Sequence, residues 1–354
     1  MEYQLFTPGP TTIPPSVLQA MNRQPLYHKS DEFKQLFKRV QAGLQYIFHT
    51  REYVLPLSSS GTGAGEAVMM ALHKAGDTVL VLNNGRFARR WCAMLIKLGV
   101  NVINAAIADT ESFSSEYINS IDDFTNISAV WILHCETSTG SLNDIQNIIK
   151  SIRQKTDALI CVDAVSTLGA QECRMDAWGI DALISCSQKG LMTPPGLGFV
   201  ALSGRAWKVA EHNTSDSYYF DLIHARASLE KHLSAFTPAV GLLMGLDVAL
   251  HLLRSEGMEH VFQRHAENAV IMRAGLQKLE FPLFPQHPSN SLTVIRTKRA
   301  QEIILGLKKK HGIIVAEGQD RLHGEIIRIG HMGYYTRQNI LDFLSAFQDV
   351  AEHP

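Results

Sequence analysis

The stretch Ser185-Cys186-Ser187-Gln188-Lys189-Gly190 sets the reading of this chain. It follows the apolar run Ala182-Leu183-Ile184, which reads as a buried strand. A lysine at the end of a buried strand is costly, because desolvation disfavours its charged form. The cost makes sense if the amine is needed neutral, as a nucleophile towards an aldehyde. Upstream, the run Ala158-Leu159-Ile160-Cys161-Val162 ends in Asp163, so a second buried strand also finishes on an ionisable group. A lysine and an aspartate on neighbouring strand ends are what pyridoxal phosphate (PLP) requires: an amine for its aldehyde and an acid for its pyridine nitrogen.

Outward from this pair, short apolar runs alternate with helical patterns. Strands are expected at 54–57, 78–82, 101–105, 128–134, 158–163, 181–185 and 198–202, and helices at 31–48, 63–75, 87–98 and 143–155. Such alternation predicts an α/β fold with a mostly parallel sheet flanked by helices. Residues 1–16 contain Pro8, Pro10, Pro14 and Pro15 and are expected to form an extended arm without a helix. From residue 239 the pattern changes. Helices are expected at 239–256, 258–280, 299–311 and 336–351, and strands at 291–296, 313–316 and 325–330. The predicted division is an N-terminal arm (1–16), a large domain (17–256) and a small α+β C-terminal domain (257–354), with the boundary at Glu256-Gly257.

The 354 residues are 45% hydrophobic and 19% charged, an ordinary globular composition, with enough chain for a large core. A net charge of −1 gives no pull towards nucleic acid or an anionic membrane, and neither is expected as a partner. No apolar run reaches the roughly 18–20 residues of a membrane span. The five cysteines, Cys92, Cys135, Cys161, Cys173 and Cys186, show no CxxC spacing and are expected to be reduced and buried. No metal site is expected. The first residues have neither the basic nor the apolar region of a signal peptide, and Glu352-His353-Pro354 is no peroxisomal address. A cytoplasmic location is the expectation.

Three further clusters follow strands. Ser60-Gly61-Thr62-Gly63 joins a strand to a helix and can cradle a phosphate on backbone N–H groups and hydroxyls. Asn84-Gly85-Arg86-Phe87 offers a ring for stacking, and His134-Cys135-Glu136-Thr137-Ser138-Thr139-Gly140 follows the next strand of the pattern. In open α/β sheets ligands bind outside the carboxyl ends of the strands, so these clusters, Asp163 and Lys189 should meet at one edge.

Together with Thr7-Pro8-Gly9-Pro10-Thr11, Val162-Asp163-Ala164-Val165-Ser166, Ser187-Gln188-Lys189 and Arg328-Ile329-Gly330, these motifs give the chain its resemblance to a known family. It resembles the class V, fold-type-I PLP-dependent aminotransferases, and within them the serine–pyruvate / alanine–glyoxylate group. The resemblance implies that Lys189 holds the cofactor as an internal aldimine and then shuttles a proton. It implies that Asp163 keeps the pyridine nitrogen protonated. Ser60, Gly61, Thr62 and Gln188 would hold the phosphate, Phe87 and Val165 would pack on the two ring faces, and Thr137 would bond the ring hydroxyl. Arg328 would clamp the substrate carboxylate, and Gly9 would approach the substrate by its backbone. Thr237 resembles the residue that reaches the phosphate of a neighbouring subunit's cofactor, which implies a homodimer with a shared active site. Some members of the group carry His at the position of Thr62 and Tyr at that of Ser234.

The implied activity is ping-pong transamination, from a small amino acid (alanine or serine) to a small 2-oxo acid (glyoxylate or pyruvate). Two alternatives on the same scaffold are 2-aminoethylphosphonate–pyruvate and ureidoglycine–glyoxylate transamination. The first would need added cations, for which Arg23, Arg86 or Arg337 could serve. A cysteine desulfurase is disfavoured, because its nucleophilic cysteine lies well after the lysine and no cysteine follows Cys186 here. A non-enzymatic subunit that kept the fold is a distant alternative, with no reason to retain Lys189, Asp163 and Arg328 together.

Overall fold

Seven strands build the central sheet: β1 (Val54–Ser58), β2 (Thr78–Asn83), β3 (Asn101–Ala106), β4 (Ile127–Leu133), β5 (Leu159–Asp163), β6 (Ala182–Cys186) and β7 (Leu197–Leu202). The computed structural model describes residues 3–213 and 217–353; Met1, Glu2 and Pro354, at the outer ends of the expected arm and C-terminal domain, lie outside them. The strand order is β1-β7-β6-β5-β4-β2-β3. From β6 to β3 all pairings are parallel, and β7 runs antiparallel to both its neighbours. The fold is therefore α/β with a mostly parallel sheet. Its middle strands, β5 and β6, are buried at every position, which is why they read as unbroken apolar runs.

The flanking helices follow from their own signals. Helix Asp31–Phe48 starts where Ser30 Oγ accepts from Phe33 N at 3.2 Å. It buries Phe33, Leu36, Phe37, Val40, Leu44 and Ile47 on one face. The helix expected at 63–75 instead spans Gly61–Leu72, because Ser60 caps it by accepting from Gly63 N. Four short helices, Ser115–Ser120, Met175–Trp178, Gly204–His212 and Leu222–Leu229, answer to no sequence expectation. One to two turns are too short for a readable period.

The arm departs from expectation at its end. Helix Pro15–Met21 begins at Pro15, inside the stretch expected to exclude helix. Proline is well placed at the first helical position, where its missing N–H would have had no partner. Before it, Gln4–Leu5 pairs in parallel with Ile313–Ile314. The strand expected at 313–316 is in fact two. Ile313–Ile314 takes the arm, while Ala316–Glu317 joins Ile326–Gly330 and Leu292–Arg296 in a three-stranded antiparallel sheet. One apolar core gathers residues from Phe33 to Val261; another gathers Met272 to Val350 and takes in Phe6 from the arm.

Candidate active site

Because β2, β4, β5 and β6 run in the same direction, the segments that follow them emerge at one sheet edge. Beyond β6, Lys189 turns towards the arm. Its Nζ donates to the carbonyl of Pro8. Thr11 fixes the same turn, its N donating to Gln188 O at 3.2 Å and its Oγ1 to Lys189 O at 3.1 Å. Gly9 makes this approach possible. Its φ is +134°, and a Cβ there would lie 2.7 Å from Lys189 Nζ. Desolvation depresses the Lys189 pKa, and the Arg328 guanidinium adds to the effect. The amine is thus biased towards its neutral, nucleophilic form.

Asp163 closes β5 and is 7% exposed. Its Oδ1 accepts from Val165 N at 2.8 Å and its Oδ2 from Trp91 Nε1 at 3.0 Å. Among the described residues no cation pairs with it. Burial raises its pKa to about 6, against the pull of those two donors. A protonated pyridine nitrogen would give this buried carboxylate the positive partner that the protein withholds.

The loop before helix Gly61–Leu72 forms the other end of the site. Ser60 Oγ serves as an acceptor for Gly63 N, which leaves its O–H free to donate. Gly61 packs so closely that a Cβ would lie 2.9 Å from Val165 Cγ2. Thr62 Oγ1 accepts from Arg90 Nη1 at 3.0 Å. The Oε1 of Gln188 is buried without a partner among the described residues. Hydroxyl donors at a helix N-terminus suit a phosphate, so the residues present fit PLP from its ring nitrogen to its phosphate.

Phe87 lies in the first turn of helix Arg86–Lys97. Glu136 anchors that turn, accepting from Phe87 N at 2.9 Å, Ala88 N at 3.2 Å and Ser138 N at 3.0 Å. A fully buried carboxylate at a helix N-terminus is favoured by the dipole. Burial still pushes the Glu136 pKa up, and these hydrogen bonds oppose the shift. Gly85 is a glycine because a Cβ would meet Glu136 Cγ at 2.4 Å. Thr137 and Ser166 pair through their hydroxyls, tying the segment after β4 to the one after β5.

One cavity of about 170 Å³ is lined by Gly9, Ser60, Gly61, Thr62, Phe87, Thr137, Asp163, Val165, Gln188 and Lys189. Arg328 and Thr237 are not in that lining. Arg328, on strand Ile326–Gly330, borders it through Thr137. Its Nε donates to Glu317 O at 2.9 Å and its Nη1 to Thr137 O at 3.4 Å. Burial lowers its pKa to about 10, which leaves it cationic at neutral pH. Thr237 is exposed and lines a separate groove with Pro56, Tyr219 and Phe236. A larger cleft, about 900 Å³ and flanked by His134, Trp178 and Phe262, contains none of the expected site residues.

Sequence reading missed Arg90 and Trp91, which also line the cavity, and the anchoring role of Glu136. Arg90 and Trp91 follow Phe87 by three and four positions on one helix, a spacing that puts all three on the same face and could have found them.

A half-buried lysine, a buried aspartate without an ion-pair partner among the described residues and a hydroxyl-lined helix N-terminus around one cavity define a PLP-dependent enzyme of fold type I. The chain belongs to the class-V aminotransferase family, whose sequence profile matches residues 3–343. It is 31% identical to the serine–glyoxylate aminotransferase of Hyphomicrobium methylovorum, with 93% of this chain and 84% of that protein covered. It is 38% identical to the soluble hydrogenase small subunit of Synechococcus sp. (strain PCC 6716), over 98% of this chain and 92% of the other. The crystal structure of alanine–glyoxylate aminotransferase from Nostoc sp. superimposes with a TM-score of 0.94 at 28% identity, covering 99% of this chain and 95% of that one. The hydrogenase name belongs to the Synechococcus protein; the cavity described here carries the groups of a transaminase. The chain is a PLP-dependent transaminase. No helix among the described residues is long and apolar enough to cross a membrane.

Proposed function

We propose that this transaminase moves an amino group from a small amino acid, alanine or serine, to a small 2-oxo acid, glyoxylate or pyruvate. The observation that carries the reading is the single buried guanidinium, Arg328, bordering a compact cavity that contains Lys189 and Asp163. When bound, PLP supplies an electrophilic carbon and an electron sink. Lys189 would hold that carbon through Nζ, and its amine is placed to move a proton at the substrate's α-carbon. Asp163 holds positive charge at the pyridine nitrogen. Phe87 and Val165 confine the ring, Thr137 bonds its hydroxyl, and Ser60, Gly61, Thr62 and Gln188 retain the phosphate. Arg328 takes the substrate carboxylate in a fork of two hydrogen bonds, and Gly9 leaves room beside it. One pocket then serves both half-reactions.

The working unit is a homodimer, with Thr237 reaching the phosphate in the partner's site; its exposure and its absence from the lining of the chain's own cavity support this. Two apolar cores support a division into a large domain, taken over 17–256, and a small one, taken over 257–354, although Met258 and Val261 pack with the larger core. Five free, buried cysteines accord with a cytoplasmic setting.

The test is a half-reaction panel on the PLP-loaded protein. Alanine and serine should bleach the yellow chromophore, whereas 2-aminoethylphosphonate and ureidoglycine should not. Bleaching by either of the latter alone would move the assignment to that alternative. Lys189→Ala should lose the borohydride-trapped adduct and all turnover; a colourless wild-type protein that takes up no PLP would overturn the reading altogether.

A further inference from the structure

Helix Arg86–Lys97 carries three arginines, and they are treated differently. Arg86 Nη1 lies 3.5 Å from Asp320 Oδ1, and Arg89 Nη1 lies 3.7 Å from Asp109 Oδ1. Arg90 has no acid within ion-pair distance among the described residues, although it lines the cavity. A half-buried guanidinium without a counter-ion is an unmet electrostatic demand. Its two contacts both lead to the site. The guanidinium carbon sits 4.9 Å from the centroid of the Phe87 ring, a cation–π distance. Its Nη1 donates to Thr62 Oγ1 at 3.0 Å.

We propose that Arg90 is a positioning residue for a phosphate monoester dianion: it orients the Thr62 hydroxyl and supplies the missing positive charge at the 60–62 loop. The proposal rests on the reading of that loop as the phosphate cradle. The chemistry is directional. Arginine has five donors and no acceptor, so the Thr62 oxygen can only accept from it. The Thr62 O–H hydrogen is thereby freed to donate into the cavity, towards an anion. Lying against the Phe87 ring, the guanidinium is itself held beside the 60–62 loop. Arg90 thus links the ring-stacking and phosphate ends of the site through one side chain. Among the described residues its charge is spent on neither a carboxylate nor a backbone carbonyl, and remains available to a dianion beside Thr62.

The test uses full-length protein stripped of cofactor and titrated with PLP and, separately, with pyridoxal, which lacks the phosphate. Arg90→Gln should raise the Kd for PLP by about 10- to 100-fold, the range for a hydrogen bond to a charged group. Thr62→Val should do the same, and the double variant should be no weaker than the worse single one, since the two act as a unit. Neither substitution should change the Kd for pyridoxal. Arg90→Lys, which keeps charge but not the fork, should recover part of the loss and serves as the control for folding. If Thr62→Val weakens PLP binding but Arg90→Gln does not, the Arg90 proposal fails and the cradle stands. If neither matters, the cradle reading at Thr62 fails. If Arg90→Gln weakens PLP and pyridoxal equally, the arginine acts through Phe87 alone and the phosphate role is overturned.

Discussion

Two aspartates stand at opposite edges of the same sheet, and the protein handles them in opposite ways. Asp181 precedes β6 and is 3% exposed. Its carboxylate meets Arg153 Nη2 at 2.5 Å, Ser203 Oγ at 2.8 Å and Ile160 N at 2.9 Å. Asp163 ends β5 at the other edge with comparable burial, yet it receives only two neutral donors and no cation. The first is a fully compensated structural acid. The second is kept short of positive charge, and its pKa is lifted to about 6. Burial alone therefore does not mark a functional group in this sheet; burial with an incomplete partner set does.

The comparison can be broken by exchanging the two losses. Asp163→Asn should cut turnover on the order of 10²–10³-fold, the scale of a lost preorganised charge, while the protein still folds and still binds PLP. If Asp181→Asn did the same, the distinction would collapse. Arg328→Ala should raise KM for carboxylate substrates about 10- to 100-fold with PLP retention unchanged. Unaltered kinetics would remove Arg328 from the substrate site. Asp181→Asn should instead cost about 2–3 kcal/mol of stability, measured by chemical denaturation, because it strands the Arg153 charge. The smallest effect is a pH slope. An acid whose folded pKa is raised contributes stability below its unfolded value and loses it as pH rises through the folded one. Cofactor-free wild type should therefore lose about 1 kcal/mol relative to Asp163→Asn between pH 5 and pH 7. A flat difference would mean that Asp163 is not held near a pKa of 6.

Asp163 and Lys189 are legible in the sequence because Asp163 ends an apolar run and Lys189 follows another within a few residues, and a run needs only its own residues to be seen. Ser60–Thr62 and Phe87 were legible because they follow strands of the same sheet, and parallel strands must deliver their ends to one edge. Trp91 was not, because the atom it serves, Asp163 Oδ2, lies 72 positions away. The role of Glu136 is not legible either, since it is to hold backbone N–H groups of a helix that starts 50 positions earlier. The split of 313–316 into two strands escaped for a similar reason. Local pattern marks residues as extended, but not which partner each will take. Thr237 was read through a partner subunit, and a single chain places it away from its own cavity.

The arm carries a consequence for how the site is assembled during synthesis. Gln4–Leu5 rests on Ile313–Ile314, Phe6 O accepts from Gly330 N at 2.7 Å, and the Phe6 ring packs 4.8 Å from that of Tyr335. Between these anchors and helix Pro15–Met21, the same arm lays Pro8 and Gly9 over Lys189. Residues 4–9 thus find their docking surface only after residue 335 has been made. Until then Pro8 and Gly9 have no anchor that holds them over Lys189. The pocket is a product of closure between distant segments, in which residues 4–9 and 313–335 together cover the middle of the chain.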